Sequence, residues 1–205
     1  MNSQFSESII KQLSKTVVNK NHGFTSVDGI WKINLTRTFL TISTSEYKTW
    51  EDFSGRFKKP FEALVKIYQP PFFTRLGIRY IDIIDRSKLN LSGASWRDLL
   101  QPYFLGLLSS DIEKSIRSYE NAYEIELENG ESKVRIVTSF VHNIQNSEVC
   151  FQIDSDFYSP SRTTIDLTWE KLDYLHERSS RLIRWVVSDK LHDAMIPKLI
   201  NQQEK

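Results

Sequence analysis

The stretch Tyr123-Glu-Ile-Glu-Leu-Glu-Asn-Gly-Glu-Ser-Lys-Val-Arg-Ile136 decides the fold class. Asn129-Gly130 supplies two residues that tolerate positive φ, as a two-residue type I′ hairpin turn requires. Folding about that pair sets Ile125 against Val134 and Tyr123 against Ile136 on one face. The other face then pairs Glu126 with Lys133 and Glu124 with Arg135. A slip of one residue would bury those charges, so the register is well specified.

Further strands extend outward from this hairpin. Val149, Phe151, Ile153 and Phe157 alternate with polar neighbours, and Phe72 to Asp85 is rich in β-branched and aromatic residues. Nearer the N-terminus, Trp31, Ile33 and Leu35 alternate, then Leu40 and Ile42. A turn at Thr36-Arg37 would pair Ile33 with Leu40 and Trp31 with Ile42.

Helical spacing takes over between these strands. Phe5, Ile9, Ile10, Leu13 and Val17 predict an amphipathic N-terminal helix, ended by the polar stretch 19–23. Trp50, Phe53, Phe57, Phe61, Leu64, Val65 and Tyr68 form a second stripe with Thr49 as N-cap. Pro60 should kink or restart this helix, and Pro70-Pro71 stops it. Ser95 heads a short turn. A last helix starts near Asp166, carries Trp169, Leu172, His176, Ser179, Ile183 and Val186 on one stripe, and runs to about Met195. The expectation is an α+β fold in one domain, residues 1–205. It has an antiparallel sheet of about six strands packed by helices, with a long C-terminal helix.

Composition narrows the function. The 205 residues carry 27 Lys plus Arg against 26 Asp plus Glu, a net charge of +1, which argues against a phosphate-tracking nucleic-acid surface. The N-terminal residues contain no apolar run long enough for a signal peptide or a membrane span, and Cys150 is the single cysteine. A cytoplasmic location is expected. No nucleotide-binding, hydrolase, zinc-protease or CxxC motif occurs, so no cofactor is expected.

Candidate site residues lie on the strands. Arg75 and Arg79 share a strand face, about 13 Å apart, and could bind an anion. Asp154 and Asp156 also share a face, about 7 Å apart, and with Asp82 or Asp85 could hold a hard divalent cation. The plainer alternative pairs the two arginines with the two aspartates across the sheet, which needs no ligand. His176 reads as a core histidine, Cys150 as a filler residue, and Phe53, Phe57 and Phe61 as core.

Three segments carry a family resemblance: RLGIRYID (75–82), FQIDSDFY (151–158) and KLDYLHERSSRLIRWVVSD (171–189). With DGIWKINLTRTFLTISTSEYKTWEDF (28–53), they resemble a sporadically distributed, uncharacterised prokaryotic protein family known by a TIGR-type designation. Its members share an RLGxRYIN strand, an L/I-D-x-D-x-Y/F strand and a C-terminal LDxLH helix. The likeness spans roughly residues 24–196. Asp82-Ile83 departs from the family's Asn-Arg. The family also has a further N-terminal strand and helix, so the chain is expected to be shortened there or completed by a partner. The resemblance implies a bacterial source and an α+β fold, and supplies no activity. Its sporadic distribution suits a protein-interaction module of a defence or toxin–antitoxin-like system. The expectation is therefore a non-enzymatic module that binds a partner protein or self-associates. The alternative is an enzyme or sensor for an anionic small molecule or metal at Arg75, Arg79, Asp82, Asp154 and Asp156.

Overall fold

The computed structural model describes residues 20–195. The N-terminal helix expected over residues 5–18 lies outside them. The fold is α+β, and the chain divides into two compact units, residues 1–69 and 70–205.

In the first unit, β1 (His22–Thr25), β2 (Trp31–Leu35) and β3 (Leu40–Thr44) form an antiparallel sheet in that order. Strand β1 arises where only a polar helix terminator is expected. The dipeptide Asp28-Gly29 makes it possible, because Gly29 takes a left-handed φ of 75°. The Asp28 side chain accepts from the Ile30 amide at 3.0 Å, holding the loop.

The β2–β3 turn is centred one residue later than expected, on Arg37-Thr38. Ile33 thus pairs with Ile42 and Leu35 with Leu40. Thr36 Oγ1 accepts from the amides of Thr38 and Phe39, which fixes that position. Moving a turn by one residue moves the pairing by two, so the same apolar face is kept.

Helix α1 (Trp50–Tyr68) begins at Thr49, whose hydroxyl accepts from the Asp52 amide at 3.2 Å. Pro60 neither breaks nor restarts it, and the helix ends at Gln69 in the left-handed region, φ 46°.

The second unit contains a four-stranded antiparallel sheet, ordered β4 (Leu76–Ile84), β7 (Val149–Ser159), β6 (Lys133–His142), β5 (Glu120–Glu126). The expected single sheet of about six strands is thus corrected to two sheets of three and four. The unexpected β1 completes the first. In the second, β4 pairs only with β7 among the described residues.

The decisive hairpin has the expected register, Ile125 with Val134 and Glu124 with Arg135. Its turn differs from type I′, because Gly130 alone takes positive φ, 66°. Residues 128–131 make a four-residue loop closed by Leu127 N–H to Ser132 O at 2.8 Å and Gly130 N–H to Leu127 O at 2.9 Å. The β1–β2 loop repeats the pattern, with Ser26 N–H to Trp31 O and Gly29 N–H to Ser26 O, both 2.9 Å.

One face of this sheet is the core. Ile78, Ile84, Val134, Ile136, Phe151, Ile153 and Phe157 are buried there. Helix α4 (Thr168–Val186) packs on β4 and β7 through Leu172, Leu175, Leu182 and Val186. At one end the Phe151 ring meets those of Trp96, Phe104, Tyr119 and Phe140. Trp96 opens the short helix α2 (Trp96–Leu99), followed by α3 (Pro102–Leu105). Ser95 does not cap α2 with its own side chain. The Glu113 carboxylate instead accepts from the Trp96 amide at 2.8 Å and from the Ser95 hydroxyl.

The C-terminal helix is long but does not reach Met195 unbroken. Val187 turns extended, and a short helix α5 (Asp189–Ala194) follows, capped by Ser188. The break is made by the α2 segment: Ser188 N–H bonds Leu99 O at 2.8 Å, and Gln101 N–H bonds Val186 O at 2.9 Å.

Candidate functional site

Arg75, Arg79, Asp154 and Asp156 gather on the face of the second sheet away from α4. Arg79 and Asp156 are opposite in register, as are Ile81 and Asp154. Arg75 Nη2 donates to Asp156 Oδ2 at 2.7 Å, and Arg79 Nε donates to Asp154 Oδ1 at 2.7 Å. The Arg75 guanidinium also lies over the Tyr158 ring, 4.8 Å from its centroid. Next to them Tyr158 donates to Glu124 at 3.0 Å, and Lys133 donates to the same carboxylate at 3.3 Å. Both aspartates are thus engaged by arginine, which lowers what remains for an anion or a cation.

Asp82 does not join this group. Residues 76, 78, 80, 82 and 84 face the core, so the side chain of Asp82 lies on the helix side of the sheet, paired across from Ile153. Its Oδ2 is buried without a hydrogen-bond partner, and desolvation raises its pKa. Odd against even numbering carried this separation in the sequence. Asp85 lies beyond the strand end, accepting from Ser87 Oγ at 2.8 Å and from Asn143 Nδ2 at 2.7 Å. Among the described residues, no group of three or more His, Cys, Asp or Glu is placed to hold a metal ion.

His176 sits half-buried on α4, its Nδ1 2.9 Å from Tyr80 Oη, a core contact. Cys150 is buried, and burial raises its thiol pKa.

The first unit holds a feature that the sequence reading passed over. A cleft of about 670 Å³ opens between β1 and α1. Phe24, Trp31, Ile33 and Ile42 supply its apolar surface, and Glu51, Asp52, Arg56 and Lys59 stand on its helix side. Phe24, Ile33 and Ile42 are consecutive partners across the three strands, so they form one row. Phe24 is 60% exposed, and among the described residues no strand continues the row beyond β1. Arg56 is fixed by Asp52 at 3.0 Å and by the Trp31 ring, 4.6 Å from the guanidinium to the centroid. No family model, curated protein or solved structure matches the chain.

The cleft is bordered by a strand edge with which no further strand pairs among the described residues. Ser26 N–H bonds Trp31 O and Ser45 N–H bonds Ile30 O. Antiparallel ladders alternate, so Gly23 and Thr25 turn their amides and carbonyls away from β2. All four residues of β1 are exposed, and none is Asp, Glu, Lys or Arg. The edge strand β5, by contrast, carries Glu120, Glu124 and Glu126, the charges by which sheet edges resist pairing. Asp28-Gly29 and the alternating Phe24 were the available signals for β1. The cleft itself depends on where α1 crosses the sheet, which periodicity does not specify. Among the described residues, no helix is long and apolar enough to cross a membrane.

Proposed function

We propose that this chain is a non-enzymatic protein-interaction module, of the family its motifs resemble, which takes an extended partner segment along β1. The observation that carries the reading is the uncharged, exposed β1 edge beside a cleft with an apolar sheet side and a charged helix side. A strand added there would bond Gly23 and Thr25 and continue the Phe24–Ile33–Ile42 row with every second side chain. The partner segment is therefore extended, with alternating apolar residues. The arginine–aspartate face gives weaker support to an anion or metal sensor, because its charges already satisfy one another.

Selection of binders from a displayed library of random peptides tests this. Peptides with alternating apolar residues should bind the full chain and be lost on Thr25→Pro, which blocks the outward amide but breaks no bond to β2. Ile33→Lys, in the cleft floor, should weaken them as well. Failure to select any such peptide, or equal binding by Thr25→Pro, would sink the reading.

A further inference from the structure

The opposite edge of the first sheet carries a second inference, independent of β1. Among the described residues, strand β3 (Leu40–Thr44) pairs only with β2, through residues 41, 43 and 45, so Leu40, Ile42 and Thr44 turn their backbone groups outward. The eight residues Thr38–Ser45 contain no charge, no proline and no glycine. Edges of that kind invite pairing.

We infer that β3 pairs with β3 of a second copy of this chain, antiparallel about Ile42. The strand is its own complement in that register. Ile42 meets Ile42 of the copy, Leu40 meets Thr44 on the apolar face, and Thr41 meets Ser43 on the other. The register opposes no like charges: Glu46 lies across from Thr38, and Arg37 from Tyr47. Phe39 and Tyr47 flank the strand and are 49% and 42% exposed. The two three-stranded sheets become one of six, with β1 as the outermost described strand at both ends. A second copy fits better than a foreign strand, because the two-fold satisfies every outward group of Leu40, Ile42 and Thr44 twice over with one sequence. A five-residue contact is short, so the dimer belongs at the weak end of protein association.

Light scattering across a concentration series up to several hundred micromolar reads this out on the full chain. The mass should rise from 24.1 kDa toward twice that value. Thr41 and Ser43 are exposed on β3, so charges placed there leave the fold intact, which circular dichroism verifies. Thr41→Glu with Ser43→Glu sets like charges across the two-fold and should weaken dimerisation at least tenfold. Thr41→Glu with Ser43→Lys sets opposite charges across it and should restore the dimer. A strict monomer at all concentrations, or a dimer indifferent to both pairs of substitutions, would overturn the proposal.

Discussion

Arg79 stands opposite Asp156 in the β4–β7 register, yet its guanidinium closes on Asp154, one position along the same face. Arg75, beyond the end of β4, then takes Asp156. The four charges are consumed in two diagonal pairs, Arg79 with Asp154 and Arg75 with Asp156.

This pairing makes Arg79 structural. Its side chain is 59% exposed while that of Asp154 is 14% exposed, so the aspartate depends on the pair more than the arginine does. Arg79→Ala should therefore cost more than Asp154→Asn. In a double-mutant cycle the coupling should be about 0.5–1 kcal/mol, the range of largely exposed ion pairs. The melting temperature of Arg79→Ala should fall by about 2–4 °C. A loss well beyond this, or none, would contradict the assignment.

The hairpin around Asn129-Gly130 was legible because Glu124, Glu126, Lys133 and Arg135 forbid a slip. The β2–β3 turn was less so. Neither Thr36-Arg37 nor Arg37-Thr38 has a strong turn preference, and only the Thr36 hydroxyl bonds select between them. The break at Val187 needed tertiary knowledge, since the bonds that cause it come from Leu99 and Gln101. Of the proposed site residues, Arg79 on β4, Asp154 and Asp156 on β7, and Arg75 just ahead of β4 lie together on one face, as the period of two places them. Asp82 could have been excluded by parity alone. The cleft beside β1 could not be read, because it is a property of two elements rather than of any motif.

Gly77 is the motif glycine of RLGIRY, and its role is close approach. A Cβ there would come within 3.1 Å of the Phe157 carbonyl oxygen and of Arg75 Nη1, and within 3.2 Å of Tyr158 Cβ. The carbonyl is backbone and cannot yield cheaply. Gly77→Ala should destabilise the protein by about 1–3 kcal/mol, as overpacking does, and chemical denaturation measures it. Gly55, with open space around its Cβ position, is the control: Gly55→Ala within α1 should stabilise by up to about 1 kcal/mol.

Asp82 and Asp85, three residues apart, should give opposite pH dependences. Burial without a hydrogen-bond partner raises the pKa of Asp82, so the folded state holds its proton more tightly than the unfolded chain. Its contribution to stability is then greatest below the unfolded value and declines as pH rises through the raised folded value. Asp82→Asn should stabilise the protein at pH 7 by on the order of 1 kcal/mol and leave it little changed at pH 3. Asp85 behaves the other way. Ser87 first, then Asn143 and the Lys88 amide, bond its carboxylate and lower its pKa from 3.8 to about 2. That stabilisation is complete above the unfolded value and is lost as pH falls toward about 2. Asp85→Ala should therefore destabilise at pH 7, with the difference from the parent shrinking on acidification. Urea denaturation of both variants between pH 3 and pH 7 decides it. Parallel slopes for the two would show that one of these carboxylates has been placed in the wrong environment.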